Sequence, residues 1–265
     1  REALESEMAR YSPAEVIIPD GNENIVNWMM ALGMNTTPRK AESWMYPVSK
    51  KILEERFGNV EELKTYPMAI TAAGAILSYA TVTQFSELPH LRPPSLMVKA
   101  KTMTLDAVTL RNLEIVRTIS DSSKDTLFAI INRTSTAGGS RRLKDWLLRP
   151  LHDLKRINER HDAVQELFDN TLSRREIRDI LKGFQDVERL LSRLGHGSIS
   201  PRDLDSLRSS LNTVKDLKQF LSEEPLKSKL MKRLVKSIDT HKQVAQKLAE
   251  AIVDDPPLIL RDGGI

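Results

Sequence analysis

The chain has 265 residues, of which 40% are hydrophobic and 29% are charged, a composition that is ordinary for a globular protein. It contains no cysteine, which excludes a disulfide framework and a thiolate metal site and fits a reducing compartment. The 40 basic and 36 acidic side chains leave a net charge of +4, too small to indicate DNA binding by itself, and no run approaches the roughly 18 apolar residues that cross a bilayer.

The first part of the chain has the pattern of a partial α/β unit. Residues 2–10 predict a helix, and residues 14–18 predict a short strand of apolar, partly β-branched side chains. Residues 41–66 alternate helix signals with stops predicted at Pro47 and Gly58. Because an incomplete sheet leaves unpaired backbone edges, we expect this part to be the most prone to disorder, swapping or rearrangement in isolation.

A domain boundary is predicted near Pro67. Residues 68–85 are dominated by alanine and other small or apolar side chains, which favours a closely packed helix. Residues 96–105 alternate apolar and polar side chains and predict a short strand pair. Between these segments, three prolines fix φ and lack an N–H, so that they impose an extended backbone: Pro89, Pro93 and Pro94.

Beyond Leu110 the chain is predicted to be helical. The clearest helix start is Ser200-Pro201-Arg202-Asp203, which supplies a hydroxyl cap, a proline in the first turn and an acid that complements the helix dipole. Asp153 is predicted to cap another helix. Ser173 and Glu176 have the spacing of a capping box at the start of a third.

Apolar residues at helical spacing predict which faces of these helices are buried. The predicted faces are Leu143, Trp146 and Leu147; Ile157, His161, Val164 and Phe168; Ile177, Ile180, Leu181 and Phe184; Leu204, Leu207, Leu211, Val214, Leu217 and Leu221; Leu226, Leu230, Leu234 and Ile238; and Val244, Leu248 and Ile252. No segment of about twenty to fifty residues repeats, so the helices are expected to form a bundle and not a solenoid. The predicted fold class is therefore mainly α, a helical bundle with a short β element, preceded by the partial α/β segment.

Several runs of residues have an order that no turn, cap or amphipathic period requires. Residues 105–115 read LDAVTLRNLEI, and residues 132–151 read NRTSTAGGSRRLKDWLLRPL. Shorter runs lie on both sides: AGAILSY at 73–79, TQ at 83–84, LPH at 88–90, SPRDL at 200–204, DDPP at 254–257 and LRDGGI at 260–265. In this order and spacing, the runs resemble the MutS family of DNA mismatch-repair proteins over nearly the whole chain.

The resemblance implies that residues 1–66 are the C-terminal part of the connector domain and residues 67–265 the first half of the core, or lever, domain. In the family this region couples mismatch contact at one end to nucleotide state at the other, so the segment would act mechanically and hold no catalytic site. The implied partners are DNA, through domains mostly outside this chain, a MutL-like protein, and a second copy or a paralogue in a dimer. ATP and Mg²⁺ would serve the full-length protein and not this segment. A cytoplasmic, nucleoid-associated location is implied if the source is prokaryotic.

Two short motifs of the family bear on what this segment contains. The ATPase signature G-x-x-x-x-G-K-[ST] has no match in the 265 residues, so we do not expect enzyme activity from them. Phe85-Ser86-Glu87 matches the Phe-x-Glu of the mismatch-reading domain. However, it lies between Thr83-Gln84 and Leu88-Pro89-His90, in the passage from connector to core. Since three residues form a weak pattern, we interpret the match as a coincidence.

The stretch 133–160 is more basic than the rest of the chain. Its eight basic and three acidic side chains are Arg133, Arg141, Arg142, Lys144, Arg149, Lys155, Arg156, Arg160, Asp145, Asp153 and Glu159. A solvated helix surface is the favoured interpretation. Within the stretch, Arg141, Arg142 and Lys144 are weak candidates for nonspecific phosphate contacts. Gly138-Gly139 could place backbone N–H groups at an anion site, but a tight helix entry that demands small residues is favoured.

Other polar and aromatic side chains are assigned structural roles. Arg111 and Glu114 are spaced to pair on a helix, and with Asn112 they are predicted to form a buried polar junction between the strand pair and the helical core. His161 and Trp146 are interpreted as core residues. No metal site is predicted, because the five histidines lack the required spacing and neighbouring carboxylates: His90, His152, His161, His196 and His241.

Two functions of other kinds remain open. One is a MutS paralogue that acts on branched recombination DNA, since the domains that would separate the two roles are not in this chain. The other is an independent helical nucleic-acid-binding module that uses the basic stretch 133–160. An enzyme is the least favoured class, because the chain has neither a G-x-S-x-G elbow nor a cysteine nucleophile.

Overall fold

A computed structural model describes residues 1–60, 63–84, 91–96, 102–259, 261 and 263 of the chain. These residues form thirteen α-helices, a two-stranded sheet and a 3-10 turn at Ala41–Trp44, which confirms the predicted mainly α fold class. The elements are α1 (Glu2–Tyr11), β1 (Val16–Pro19), α2 (Glu23–Ala31), β2 (Thr36–Arg39), α3 (Tyr46–Phe57), α4 (Pro67–Gln84), α5 (Ala107–Asn112), α6 (Leu127–Ile131), α7 (Ala137–Leu148), α8 (Leu154–Asp169), α9 (Thr171–Leu181), α10 (Val187–Gly195), α11 (Pro201–Glu223), α12 (Lys229–Ser237) and α13 (Lys242–Ala251). None of the described helices is long and apolar enough to cross a membrane.

The chain divides into two compact units. The first comprises Arg1–Ala100 and Leu105–Leu110, and the second comprises Lys101–Thr104 and Arg111–Ile265. The domain boundary near Pro67 that the sequence pattern indicates stays a prediction. Pro67 begins α4, which packs on α3 in one cluster of apolar side chains, so residues on both sides of it belong to the first unit.

The sheet of the first unit consists of two parallel strands. β1 lies beside β2, with Val16 opposite Thr36 and Pro19 opposite Arg39. Parallel neighbours need a crossover connection, and α2 supplies it. The apolar residues of β1 predict a strand, whereas β2 reads TTPR and has no apolar alternation, so the sequence pattern did not predict β2.

Apolar side chains of α3, of the turn after it and of α4 form the core of the first unit. The buried members of this cluster are Leu53, Val60, Leu63, Ile70 and Leu77. The stop predicted at Pro47 is wrong, because Pro47 lies in the first turn of α3, where a backbone N–H has no partner within the helix. Gly58 ends α3 with a φ of 74°, as predicted.

Helices α3 and α4 approach each other closely at Ser49 and Gly74. A Cβ atom on Gly74 would lie 2.4 Å from the Cβ of Ser49 and 2.5 Å from its Cα. Ser49 is fully buried, and its hydroxyl donates a hydrogen bond of 3.3 Å to the carbonyl oxygen of Thr71. The crossing therefore has room for a glycine only, which gives a packing reason for the small residues predicted in α4.

Helix α11 contacts α9, α10, α12 and α13 in the second unit. Its predicted apolar stripe is confirmed, with Leu207, Leu211 and Leu221 buried. Its predicted start is confirmed as well. Ser200 and Asp203 form a reciprocal capping box, in which the Ser200 hydroxyl accepts from the Asp203 N–H at 3.2 Å and the Asp203 carboxylate accepts from the Ser200 N–H at 2.9 Å.

Around the C-terminal half of α11, one apolar cluster joins four helices. Its buried members are Ala163 of α8, Leu221 of α11 and Met231 of α12. Partly buried side chains packed against them are Leu167, Ile177, Leu217, Phe220, Leu226, Leu230, Val235 and Ile238. Because α8, α9, α11 and α12 all contribute, the helices form a bundle, as the absence of a sequence repeat predicts.

Helix α8 buries a different face from the predicted one. Ala163 and Leu167 make its contacts with the cluster. Val164 and Phe168, which were predicted to be buried, are 65% and 69% exposed, and His161 is exposed too. The helix carries apolar residues on two faces, and spacing along a sequence does not say which of them meets a neighbouring helix.

The caps of α8 and α9 test two further predictions. Asp153 caps α8, because its carboxylate accepts from the Arg156 N–H at 3.2 Å, as predicted. Asn170 caps α9 by accepting from the Ser173 N–H at 3.1 Å, so the cap predicted at Ser173 is wrong. Ser173 is instead buried in the first turn, and its hydroxyl donates to the carboxylate of Glu224.

The last two helices bury different residues from those predicted. The predicted face of α12 begins at Leu226, but the helix starts after Ser228, whose hydroxyl accepts from the Met231 N–H at 3.3 Å. Met231 is buried in place of Leu234, which is 48% exposed. Val244 of α13 is also 48% exposed, although the pattern placed it on a buried face.

The predicted strand pair at 96–105 falls largely on residues 97–101, which lie outside the described residues. Thr102 forms a single antiparallel bridge with Leu151. The described partner of Thr102 is therefore the chain that follows α7, far away in sequence.

The passage between α4 and residue 102 is described only in part. Phe85-Ser86-Glu87 and Leu88-Pro89-His90 lie outside the described residues. Residues 91–96, which include Pro93 and Pro94, form neither helix nor strand, as the prolines predict.

The interpretation of Trp146 as a core residue is wrong. Its side chain is 39% exposed, whereas Leu148 of the same helix is 6% exposed. The guanidinium carbon of Arg160, on α8, lies 3.7 Å from the centre of the indole ring. Stacking of this kind covers one ring face with a charged group, and helical spacing cannot distinguish it from burial among apolar side chains.

We expect Gly74→Ala to lower the free energy of unfolding by about 3 kcal/mol, the upper end of the range for overpacking, because the new methyl group meets the backbone of Ser49. Gly138→Ala is the matched control in a helix with no atom within 4 Å, and it should be neutral or stabilising. Calorimetric melting of both variants measures the difference. Equal melting temperatures would contradict the close crossing.

For Trp146→Ala we expect a loss of about 1 to 2 kcal/mol, since the ring is part exposed and its described ring contact is a cation–π stack. Leu221→Ala, in the cluster around α11, should cost about 2 to 5 kcal/mol as a core truncation. Urea unfolding followed by circular dichroism compares the two. A larger loss for Trp146→Ala than for Leu221→Ala would restore the core interpretation.

Candidate functional site

Glu114 links the end of α5 to the segment that leads into α6. Its φ of 45° takes the chain out of the helix. Its carboxylate accepts from the Ile119 N–H at 2.7 Å, and its carbonyl oxygen accepts from the Leu127 N–H at 3.1 Å. The expected pair between Arg111 and Glu114 is absent from the described contacts, and Arg111 and Asn112 are exposed and not buried. The left-handed backbone at Glu114 explains this, because it removes the helical spacing on which the pairing depends.

The start of α7 is closed by side chains of its own segment. The Thr136 hydroxyl accepts from the Gly139 N–H at 3.0 Å, and the amide of Asn132 donates to the Ser140 hydroxyl at 2.9 Å. A Cβ atom on Gly139 would lie 3.0 Å from the Thr136 hydroxyl oxygen, whereas Gly138 has open space around it. A tight entry at Gly139 accounts for this geometry, and the Gly139 N–H group is already bonded to Thr136.

Arg141 forms ion pairs with two carboxylates at the start of α10. Its terminal nitrogens donate to both oxygens of Asp186 at 3.0 and 2.7 Å, and its Nε lies 2.7 Å from an oxygen of Glu188. Asp186 is also the N-cap of α10, since it accepts from the Arg189 N–H at 3.3 Å. Hydrogen bonding to Arg141 lowers the pKa of the Asp186 carboxyl group. The pair therefore ties α7 to the beginning of α10.

Arg142 and Lys144 lie on the surface of α7. The side chain of Arg142 is 69% exposed, and one of its nitrogens is 3.7 Å from the Asp145 carboxylate. Lys144 is exposed. Of the three weak candidates for phosphate contact, Arg141 is thus occupied by carboxylates and the other two face solvent. Contact of Arg142 or Lys144 with phosphate stays a prediction.

The carboxylate of Glu166 on α8 binds the segment before α12, and the carboxylate of Glu224, which follows α11, binds α9. Glu166 accepts from the backbone N–H groups of Lys227 and Ser228, the latter at 2.9 Å. On the other side, Ser173 donates to Glu224. These bonds connect elements that are about 50 to 60 residues apart in sequence. They fix the position of α12 relative to α8.

Two arginines of α11 hold the segment that follows α13. Arg208 donates to the carbonyl oxygen of Ile252 at 3.0 Å and to the carboxylate of Asp254 at 2.8 Å. Arg202 donates to the carbonyl oxygen of Pro256 at 3.1 Å. Ile252 and Pro256 are buried. We call these five residues the arginine clamp.

The contacts described above are hydrogen bonds and ion pairs that connect helices. The residues that form them do not make up a nucleophile, base and oxyanion site. Within the described part of the chain, no group of three or more histidines and carboxylates is placed to bind a metal ion. His161 and His196 are exposed. His241 lies 3.7 Å from Asp239, its neighbour in the turn before α13. Chemically, the arrangement is suited to keeping helices in register.

Sequence reasoning identified neither the arginine clamp nor the pair of Arg141 with Asp186. The clamp partners lie 44 to 54 residues apart, and Arg141 is 45 residues from Asp186. No local spacing reveals such pairs. The run DDPP at 254–257 was noted in the sequence only as part of the family resemblance.

We expect Asp186→Asn to lower the free energy of unfolding by about 1 kcal/mol at pH 7, because asparagine keeps the cap and loses the ion pair. Arg141 lowers the folded pKa of Asp186, so the stabilisation is present above the unfolded pKa of about 3.9 and is lost as the pH falls through the folded value. Urea unfolding from neutral to about pH 2 should therefore show the difference shrinking below about pH 4.

Asp162→Asn, at an exposed position of α8 with no ion pair or side-chain hydrogen bond among the described contacts, is the control and should be near neutral at every pH. A pH-independent difference for Asp186→Asn would show that the charge on Asp186 does not contribute.

Comparisons with known proteins show the family of the chain. A family model described as MutS domain II matches residues 1–92, and one described as MutS domain III matches residues 108–265. Proteins named DNA mismatch repair protein MutS from Pelotomaculum thermopropionicum, Methanothrix thermoacetophila and Methanosarcina acetivorans are 37%, 36% and 33% identical to the chain. The alignments cover 99%, 100% and 99% of this chain but only 31%, 30% and 30% of the relatives, so the chain spans about a third of their length. The chain belongs to the MutS family.

Proposed function

We propose that this chain is the part of a MutS mismatch-repair protein that couples the mismatch-binding domain to the ATPase domain, both of which lie outside it. Its relatives carry the name DNA mismatch repair protein, and the chain corresponds to about a third of each. The 265 residues contain no G-x-x-x-x-G-K-[ST] signature, whose glycines and lysine would bind nucleotide phosphates. A mechanical role for this segment is consistent with both observations.

The arginine clamp carries the proposal. Coupling over a distance needs an element with two discrete arrangements whose equilibrium both sites can bias. Arg202 and Arg208 donate to the buried backbone carbonyls of Pro256 and Ile252. An intermediate position would leave those carbonyls buried without a donor, which is costly. The segment after α13 is therefore either docked on α11 or released from it.

The resemblance to the family indicates which part of the protein would move when the segment after α13 docks on α11 or is released from it. Residues 260–265, which begin four positions after Pro256 of the clamp, resemble the passage that precedes the long lever helices of MutS proteins. Release or docking at Ile252–Pro256 would change where those helices begin. The bundle around α11 would receive the displacement, since α11 contacts four other helices.

Further features of the whole protein follow from the same proposal. ATP and Mg²⁺ would bind in the ATPase domain, and DNA contacts would come mainly from domains outside this chain. A MutL-like protein and a second MutS subunit, identical or paralogous, would be its protein partners. A cytoplasmic, nucleoid-associated location follows if the source is prokaryotic.

The two alternatives have less support. A paralogue acting on branched recombination DNA is disfavoured by the mismatch-repair names of the relatives. An independent nucleic-acid-binding module is disfavoured because Arg141 and Arg149, within the basic stretch, are bonded to Asp186 and Asp145.

We expect Arg208→Gln, tested in the full-length MutS polypeptide that carries this segment, to weaken the response of ATP turnover to mismatched DNA by at least about fivefold. The reason is that the variant removes the donor to Ile252 and Asp254 and leaves the remote sites intact. Lys215→Gln removes the same charge from an exposed position of α11 and is the control. Mismatch affinity, basal ATP turnover and the DNA-dependent response are measured separately.

A folded Arg208→Gln protein with an unchanged DNA-dependent response would contradict coupling through the clamp. ATP hydrolysis by the isolated 265-residue chain would contradict the mechanical role altogether.

A further inference from the structure

The basic stretch contains a group of cations that the coupling role does not use. Arg160 of α8 stacks on Trp146 of α7, with its guanidinium carbon 3.7 Å from the ring centre. Arg142 lies on the same helix as Trp146, and Arg156 lies one turn before Arg160 on α8. We call Trp146, Arg142, Arg156 and Arg160 the Trp146 cluster.

The cluster is short of negative charge. Asp145 is the carboxylate beside it, and it is already shared by Arg142 at 3.7 Å and by Arg149. Arg156 and Arg160 form no ion pair with any carboxylate in the part of the chain that the structure describes. The three guanidinium groups of the cluster therefore have one carboxylate beside them, and they share it with Arg149.

The position of Arg160 distinguishes this group from an ordinary solvated surface. Burial lowers the pKa of the Arg160 guanidinium, and the charges of Arg156 and Arg142 lower it further, while Asp145 has the opposite effect. Lysines and arginines on a solvated face extend into water and avoid one another. Here a cation is partly desolvated beside two others, an arrangement that an anion would stabilise.

The stacking also orients the guanidinium of Arg160 to donate two parallel hydrogen bonds to one ligand. At 3.7 Å from the ring centre, the guanidinium carbon is close enough for face-to-face stacking, which leaves the N–H donors at the edges of the group available to another ligand. Stacking restricts the orientations of the side chain, so less entropy is lost when it forms two parallel hydrogen bonds. Phosphate oxygens match this fork geometry.

We propose that the Trp146 cluster is a binding site for a backbone phosphate of DNA, with Arg160 as the oriented donor and Arg156 and Arg142 as supporting charges. The site itself is inferred from the geometry of these residues, and the choice of DNA as the source of the phosphate rests on the proposed function. A phosphate contact here fixes the position of the second unit on the nucleic acid and carries no sequence information.

The test compares two double variants of the 265-residue chain that each lose two positive charges. Arg156→Gln/Arg160→Gln removes cations of the site, and Arg175→Gln/Lys236→Gln removes exposed cations of α9 and α12. Fluorescence anisotropy of a labelled duplex DNA at low salt gives the Kd of each. We expect the site variant to raise the Kd at least about fivefold more than the control and to reduce the slope of log K against log salt by about two.

A second variant and a second ligand keep the outcome clear. Arg156 is exposed, and its side chain makes no hydrogen bond among the described contacts, so Arg156→Gln alone should fold normally and still weaken DNA binding relative to Arg175→Gln. Polyglutamate of matched charge is the competitor. If polyglutamate displaces the labelled duplex as strongly as unlabelled DNA does, and the site variant loses affinity for both to the same extent, then the site accepts any polyanion. That result would overturn the phosphate assignment.

Equal Kd values for the site and control variants would overturn the site. That result would leave the outcome of the Arg208→Gln experiment unchanged, because that experiment measures the response of ATP turnover to DNA. The phosphate site and the coupling role can therefore fail separately. In the reverse case, loss of DNA binding in the site variant with an unchanged Arg208→Gln response would support the site and contradict the coupling.

Discussion

Burial of a single apolar stripe on α11 supports the second unit. Leu207, Leu211 and Leu221 lie on one face of a 23-residue helix, and α9, α10, α12 and α13 pack around it. Removing apolar surface from water contributes about 25 cal/mol per Å², so a continuous stripe of this length is a large stabilising contribution. Because the burial is non-directional, it holds the helices together without fixing how they are aligned. Polar contacts supply that alignment.

Those polar contacts lie at helix ends. Arg141 bonds the N-cap residue of α10, Glu166 bonds the N–H groups before α12, and Arg208 bonds a carbonyl after α13. Each satisfies a backbone or cap group that a helix leaves without an internal partner. The consequence is that sliding one helix past another breaks specific bonds, and the bundle has a defined register. A defined register is what a segment needs if displacement at one end is to have an effect at the other.

The first unit is built on a different constraint, the close crossing of α3 and α4. Gly74 meets Ser49 where a Cβ atom would overlap the neighbouring backbone, so the helices lie against each other with little room for adjustment. Packing of this kind resists deformation, since interiors are already close to the density of organic crystals. The first unit thus depends on a tight steric fit, and the second depends on an apolar stripe with directional bonds at its edges.

The sequence by itself determined the elements whose signals are local. The capping box at Ser200, the cap at Asp153 and the stripe of α11 depend on residues within a few turns of one another, and the family resemblance depends on residue order alone. Only the tertiary structure decided which of two apolar faces α8 buries, that Trp146 stacks on Arg160, and that Arg141 and Arg208 find partners more than forty residues away. The physical reason is that helical periodicity specifies a face but not its neighbour, and an ion pair between distant segments leaves no spacing in the sequence.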